Sequence, residues 1–280
     1  VDISGTTIVA SYKNAAAGED GFVVVYDYAD PANVGARVLS VGSHPDSIVI
    51  DSTGEYAFTA NEGEIVYIGD GSDEQLADDQ YYVDAAGSIS MVHLESGTVS
   101  TIGFDGFDDS VLETLRISPV AVASQGSLAN AALVDIEPEY VALSADGSSL
   151  FVTLQENNAV ARVDLAAWKA SDASTVGASV MELLPLGYKD HSIAGNGLDA
   201  SDRDDAINIA TFDVKGIYMP DAIATYAVDG FVAVAIAAPQ IGVRKRLFLI
   251  HDQSQDRDSL PSFVAINPKI VKVSKKTHVV

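Results

Sequence analysis

The chain contains no cysteine, a single tryptophan and no long hydrophobic segment. Without cysteine it can form no disulfide bond, thiolate nucleophile or cysteine-ligated zinc site. The longest apolar run, Phe231 to Ala238, has eight residues, whereas a membrane-spanning helix needs about 20. We therefore expect no transmembrane segment. The sequence opens on valine without a charged and then apolar leader, so we expect any signal peptide to lie outside it.

Basic residues are also scarce. The 280 residues include 16 Lys and Arg against 40 Asp and Glu, a formal charge of −24. This charge repels phosphate backbones and attracts cations, so we expect metal ions rather than nucleic acid as partners. At 48% hydrophobic residues the chain can bury a core, and its length suits one or two domains.

The charge is distributed unevenly along the chain. Residues 1–230 hold 8 basic and 37 acidic side chains, whereas residues 231–280 hold 8 and 3, so the balance changes from −29 to +5. The second segment is rich in Val, Ile and Phe, unlike a solvated basic tail. We therefore predict two domains, residues 1–230 and residues 231–280.

The acidic segment contains a repeat. Residues 44–60 align without a gap with residues 137–153, and a third copy begins at Met219. Three pairs match: Pro45 with Pro138, Gly54 with Gly147, and Phe58 with Phe151. In each copy a Pro-acid pair begins a strand and a glycine turn makes a hairpin, which is typical of a β-propeller blade. The alternative is two unrelated hairpins that share their turn chemistry.

The predicted fold class is therefore all-β, a partial β-propeller of antiparallel blades. Long insertions separate the strands at Ile65 to Gly87, Asp105 to Asp135 and Gly187 to Lys215. Insertions of this length carry function or are simply mobile.

Several motifs of the acidic segment, over about residues 20–230, resemble the choice-of-anchor I family. They are Asn61-Glu-Gly-Glu64, Glu137-Pro-Glu-Tyr140, Val152-Thr-Leu-Gln-Glu-Asn-Asn158, Leu184-Pro-Leu-Gly-Tyr-Lys-Asp-His191, Gly195-Asn-Gly-Leu-Asp-Ala-Ser-Asp-Arg-Asp204 and Met219-Pro-Asp-Ala-Ile223. That family is similar to mesenchyme-specific cell-surface glycoproteins and to phytase-like propellers. The resemblance implies a secreted or surface-anchored β-propeller, extracellular or at the cell surface. Some such proteins carry an alkaline phosphatase or esterase description.

The basic segment, about residues 231–280, resembles the N-terminal part of peptide deformylase. The likeness rests on Ala233-Val-Ala-Ile-Ala-Ala-Pro-Gln-Ile-Gly242, Arg246-Leu-Phe-Leu-Ile250 and Ala265-Ile-Asn-Pro-Lys-Ile-Val271. In that family the glutamine, here Gln240, helps to hold the oxyanion beside a metal. Both motif glycines are replaced, and the cysteine ligand and the His-Glu-x-x-His motif are missing. We therefore expect a chimera or a fragment, joined near Gly230, without deformylase activity.

The densest set of oxygen ligands lies in one glycine-rich loop, at Asn196, Asp199, Asp202, Asp204 and Asp205. Hard cations take six to eight oxygen ligands, so this loop predicts a Ca²⁺ site. The alternative is a solvated loop whose aspartates cap turns. A second acidic loop, residues 70–79, has the same two interpretations.

Lys189 and His191 are candidate catalytic residues with Gln240, because lysine binds phosphate and histidine titrates near neutrality. A structural role for this pair is the alternative. The acids that follow the repeated prolines, Asp46, Glu139 and Asp221, are joined by Glu62 and Glu156 in the first two copies. Equivalent positions of successive blades gather around one axis, so these acids either line a metal-binding channel mouth or cap turns.

Three functions remain open at this point. The first is a binding or structural role for an exported acidic propeller that holds Ca²⁺, with mineral or a surface polymer as partner. The second is a metal-dependent phosphoesterase with Lys189 and His191 near the ion. The third is an inactive deformylase fragment.

Overall fold

The computed structural model describes residues 1–29, 36–68, 81–172, 177–201, 203–228, 231–237, 246–250 and 264–266. Among these residues, no helix is both long and apolar enough to cross a membrane. Strands dominate, and the larger sheets each have four antiparallel strands.

The first sheet has the order β1-β2-β3-β4. Its strands are β1 (Asp2–Ser4), β2 (Thr7–Tyr12), β3 (Asp20–Asp27) and β4 (Arg37–Ser43). Val23 and Val25 of β3 point inward on alternate positions and pack with Val9 of β2, as expected for a strand with one buried face.

The second and third sheets contain the repeat. The second is formed by β5 (Pro45–Ile50), β6 (Tyr56–Asn61), β9 (Ser88–His93) and β10 (Val99–Ile102), with a separate hairpin of β7 (Val66–Ile68) and β8 (Tyr81–Val83) between β6 and β9. The third is formed by β11 (Pro138–Leu143), β12 (Ser149–Leu154), β13 (Ala159–Asp164) and β14 (Met181–Pro185).

The repeat is confirmed residue by residue. Phe58 lies opposite Val49 in the second sheet, and Phe151 lies opposite Ala142 at the equivalent position of the third. Both turn glycines, at positions 54 and 147, adopt φ 72°, a left-handed conformation that favours glycine. Both hairpins also carry a bulge directly after the proline. The two copies are therefore equivalent blades rather than hairpins that share only a turn.

Short helices fill the insertion between the second and third sheets, and two more follow β13. They are α1 (Asp109–Leu112), α2 (Pro119–Gln125), α3 (Leu128–Asp135), α4 (Leu165–Lys169) and α5 (Gly177–Val180). Trp168 of α4 packs with Phe58, Ile89 and Leu150 in the main core between the two sheets. The insertion at Asp105 to Asp135 is thus partly helical.

The fourth sheet crosses the predicted domain boundary at Gly230. It joins β19 (Ala222–Val228), β20 (Phe231–Ala237), β21 (Arg246–Ile250) and β22 (Val264–Ile266). Ile236 of β20 is buried with Ile223 of β19 in one core cluster. The deformylase-like strands therefore continue the sheet that the third repeat copy begins, while the division into two domains stays a prediction. The preceding insertion forms two small pairs, β15 (Lys189–Asp190) with β18 (Lys215–Gly216) and β16 (Leu198–Asp199) with β17 (Ile209–Ala210).

Neighbouring sheets pack on one another through β2 of the first sheet and through the strand that begins each repeat copy. β2 packs on β5, β5 on β11, and β11 on β19. Two hydrogen bonds join these strands directly: Val141 N–H donates to Ser47 Oγ at 2.9 Å, and the Thr225 hydroxyl donates to the Leu143 carbonyl. We call β5, β11 and β19 the inner strands. The predicted fold, all-β with propeller-like antiparallel blades, is confirmed.

Candidate metal centre

The inner strands bring the recurring acids together. Each strand begins at or just after a proline, so Asp46, Glu139 and Asp221 occupy equivalent positions. Because the strands pack side by side, these positions meet at one end. The pKa of Glu139 is raised first by burial and then by nearby carboxylates, which include Asp46 and Asp221. The structure thus places these acids close enough to interact.

His44 lies at the centre of the first part of this site. Its Nδ1 is 3.2 Å from Glu62 Oε2 and 3.3 Å from Glu64 Oε2. Among the described side chains, His44, Asp46 and Glu62 form the one set of three or more His, Asp or Glu whose ligand atoms all lie within 4.8 Å of one another. These three side chains at the start of β5 are therefore the residues that could hold a cation.

Backbone constraints hold these residues in place. His44 has a positive φ of 51°, and Met219, at the equivalent position before Pro220, has φ 49°, an uncommon conformation for residues with side chains. The Glu62 N–H donates to the His44 carbonyl at 2.9 Å. Gly63 has φ 70°, and a Cβ there would lie 2.5 Å from the Ala85 carbonyl oxygen. Only glycine allows the two glutamates beside it to approach His44 in this way.

The second part of the site is built around the buried amide of Asn157. Its Oδ1 accepts from the Glu137 N–H at 3.2 Å, and its Nδ2 donates to the carbonyls of Arg116 and Asp135 at 3.0 and 2.8 Å. The adjacent Glu156 has a buried Oε2 without a hydrogen-bond partner in the described part of the chain. Asn157 therefore holds the backbone of Glu137 next to Glu156, whose Oε2 has no hydrogen-bond partner among the described residues.

Burial and mutual repulsion perturb these carboxyls strongly. Burial raises the pKa of Glu62 to about 8, and the carboxylate of Glu139 adds to the effect. Burial likewise raises the pKa of Glu137 to about 8, with Glu156 as the next cause, and that of Glu139 to about 7. The pKa values of Glu156, Asp84 and Asp135 are also raised, first by burial. Carboxyls in this state are relieved by a proton or by a bound cation.

We call these residues together the inner-strand cluster. It comprises His44, Asp46, Glu62, Glu64, Asp84, Asp135, Glu137, Glu139, Glu156 and Asp221. Sequence reasoning had proposed five of them as a channel mouth, the three acids after the prolines with Glu62 and Glu156. It missed the others, although His44 and Glu137 stand at matching positions of the aligned copies.

In the predicted calcium loop, Asn196 to Asp205, the described side chains bond to nearby backbone groups. Asp199 Oδ2 accepts from the Asn208 N–H at 3.2 Å, and Asp204 Oδ1 accepts from the Ala206 N–H at 3.3 Å. Asn196 Nδ2 donates to the Asp190 carbonyl at 3.0 Å, and Asp205 adopts a positive φ of 54°. These contacts are those of turn-capping side chains.

Asp202 of that loop lies outside the described residues, as does the whole of the second acidic loop, residues 70–79. Calcium binding at the loop from Asn196 to Asp205 stays a prediction.

The candidate catalytic residues Lys189 and His191 are both buried, at 9% and 5% exposure. His191 Nδ1 lies 2.7 Å from the Asn196 carbonyl oxygen, and its backbone bonds to Val214 and Phe212. These bonds tie together the insertion that carries the pair. Gln240 lies outside the described residues. The catalytic roles of all three residues stay predictions.

Comparisons with known proteins address the whole chain. No curated protein matches it significantly. Among solved structures, the Kuenenia stuttgartiensis hydrazine synthase is 13% identical, with 86% of this chain and 57% of that chain covered and a TM-score of 0.45. A chain of the nidogen/laminin complex is 8% identical (87% and 55% covered, TM-score 0.40), and the Myceliophteria thermophila Cps50 (Swd1) β-propeller domain is 11% identical (95% and 72% covered, TM-score 0.34).

The chain thus spans little more than half of the first two of these chains, and likenesses at these TM-scores carry no functional argument. Two family models match. The polypeptide deformylase model covers residues 203–279, in agreement with the likeness of the basic segment. The choice-of-anchor I domain model covers residues 1–238. This chain therefore belongs to the choice-of-anchor I family.

Proposed function

We propose that this chain is a surface-associated β-propeller that binds Ca²⁺ through the inner-strand cluster. Family membership supports the surface association. The observation that carries the cation-binding role is the set of His44, Asp46 and Glu62, whose ligand atoms lie within 4.8 Å of one another. Burial raises the pKa of Glu62, and the carboxyl of Glu139 is the next cause, so Glu139 belongs to the same site.

The chemistry of the donors favours calcium. Carboxylate oxygens outnumber the one imidazole of His44, and hard cations prefer oxygen ligands, whereas imidazole-rich sites select transition metals. The formal charge of −24 also concentrates cations around the protein. His44 Nδ1 lies 3.2 and 3.3 Å from carboxylate oxygens of Glu62 and Glu64, so it is the one nitrogen beside these oxygen ligands.

The test is calorimetric titration of the EDTA-treated chain with CaCl₂. Glu62→Gln and Glu139→Gln each remove one anionic ligand, so we expect the affinity to fall at least about tenfold. Glu113→Gln is the matched control, because Glu113 is exposed at the end of α1. Unchanged affinity in both cluster variants would reject the site.

The calcium loop predicted from sequence is tested in the same titration. Asp199→Asn combined with Asp202→Asn weakens binding only if the ion occupies that loop. Loss in this double variant, with full affinity in the two cluster variants, would assign calcium to the loop instead.

A second function, metal-dependent phosphoester hydrolysis, is favoured by a hollow of about 150 Å³ beside the cluster. Lys13 lines this hollow together with His44 and Glu64, so a phosphate there would meet one lysine and a cluster-bound cation. Hydrolysis of p-nitrophenyl phosphate that requires Ca²⁺ and falls in Lys13→Met would support this function. No turnover in Ca²⁺ would leave the binding role alone.

A further inference from the structure

An open groove lies between β9, β10 and α4, at the end of the second sheet opposite Pro45. We call it the outer groove. It holds about 590 Å³, within the usual range of small-molecule sites. Its accessible apolar lining comes from the partly exposed Tyr56 and Val99, and the buried side chains of Met91 and Trp168 lie behind them. Its hydroxyl lining includes Ser96, Thr98, Ser100 and Thr101. The groove thus combines an apolar surface with a dense set of neutral hydrogen-bonding groups.

The aromatic side chains of the groove are held in fixed positions. Trp168 is 1% exposed, and its Nε1 donates to Ser100 Oγ at 3.1 Å. The Tyr56 ring meets the His93 ring edge to face, with centroids 4.9 Å apart. Lys169 Nζ lies 4.2 Å from the centroid of the Tyr56 ring. A ligand in the groove would therefore meet a preformed surface, which lowers the entropic cost of binding.

The two basic side chains at the groove are already paired, and the one acidic side chain of its lining is Asp172. Lys169 Nζ lies 3.3 Å from Asp51 Oδ2. His93 Nδ1 accepts from the Ser96 N–H, which leaves the ring proton on Nε2, 3.4 Å from Glu55 Oε1. Since both basic side chains have carboxylate partners, the groove does not select an anion.

We propose that the outer groove binds a neutral carbohydrate, such as a hexose unit of a surface polysaccharide. A sugar ring has an apolar C–H face that packs on aromatic and aliphatic side chains, and hydroxyls that donate to and accept from Ser and Thr. In the groove, Tyr56 and Val99 offer the apolar surface, and the exposed residues Ser96, Thr98 and Thr101 offer the hydroxyls. This role is independent of the inner-strand cluster and needs no metal.

The test uses Trp168, the single tryptophan of the chain, as a reporter inside the groove. We expect tryptophan fluorescence to change saturably with at least one of maltohexaose, cellohexaose, laminarihexaose and chitotriose, with or without EDTA. Thr98→Phe fills the groove and lowers the apparent affinity at least about tenfold. Thr114→Phe is the control, since Thr114 is also exposed but lies at the end of α1.

A second variant guards against misfolding of Thr98→Phe. Ser96→Ala with Thr98→Val removes two hydroxyls and little volume, and we expect it to weaken sugar binding by a similar factor while the thermal melt stays unchanged. No fluorescence response to any of the four sugars, or an equal response in both groove variants, would overturn the proposal. A response to polygalacturonate alone would also overturn it, because it would mean an anionic ligand.

Discussion

The substitution Glu62→Gln separates two effects of the inner-strand cluster, its cost in folding stability and its contribution to calcium binding. The pKa of Glu62 is raised from 4.5 to about 8 in the folded chain, so the charged form opposes folding. The cost is absent below about pH 4.5, where this carboxyl is protonated in both the folded and the unfolded chain. It grows as the unfolded chain ionises and is complete once the pH has risen through about 8. Removing the charge should therefore stabilise the calcium-free protein at alkaline pH.

The magnitude follows from linkage. A folded pKa of about 8 against 4.5 unfolded corresponds to a cost of about 4 kcal/mol at pH 8 and about 1 kcal/mol at pH 5. Solvent screens part of this electrostatic cost, so we take about half of each free energy. We expect Glu62→Gln to raise the free energy of unfolding by about 2 kcal/mol at pH 8 and by well under 1 kcal/mol at pH 5.

The assay is urea unfolding in EDTA, followed by the fluorescence of Trp168 at both pH values. In excess CaCl₂ the order should reverse, because the wild type gains binding energy that the variant has lost. Glu113→Gln should leave the unfolding midpoint unchanged in every condition. A variant no more stable than the wild type at pH 8 in EDTA would refute the electrostatic reasoning, whatever its calcium affinity.

Three further predictions follow from single residues. Gly63→Ala should lower the free energy of unfolding by more than about 2 kcal/mol, because its Cβ would collide with backbone atoms. Gly147→Ala, also at positive φ but in open space, should lower it by only about 1 kcal/mol. Equal urea midpoints for the two variants would contradict this. Asn157→Ala should lower the free energy of unfolding by about 2 to 4 kcal/mol, since it leaves buried backbone groups without hydrogen-bond partners. It should also weaken calcium binding, because Asn157 no longer positions Glu137. A variant with wild-type stability and calcium affinity would argue against that positioning role. The chain should release no formate from formyl-methionyl peptides at any added metal concentration, and turnover abolished by Gln240→Ala would show that a working site exists.

The sequence alone was sufficient for the features that depend on local chemistry. Gly54 and Gly147 mark the turns because a left-handed backbone favours glycine, and Pro45 and Pro138 mark strand starts because proline donates no backbone hydrogen bond. Since these signals recur at a constant spacing, the blades and their equivalence could be read without coordinates. The helices of the insertion were missed, although Ser118 before Pro119 and Ser127 before Leu128 are ordinary helix starts.

The repeat alone groups Glu62 with Glu139, which lie 77 positions apart in the chain, because equivalent positions of successive blades meet. Only the tertiary structure adds Asp84 and Asp135, which stand outside the aligned copies and raise the pKa of Glu137 after burial and Glu156. The calcium loop is predicted from sequence because the density of oxygen ligands is visible there, and this stays a prediction. Burial, which raises the pKa of Glu62 and Glu137, is visible only in the tertiary structure. The change of charge at Gly230 predicts a domain boundary, which stays a prediction. The tertiary structure adds that β19 and β20 pair across this position, because strand pairing is made by backbone groups that carry no record of the side-chain charge.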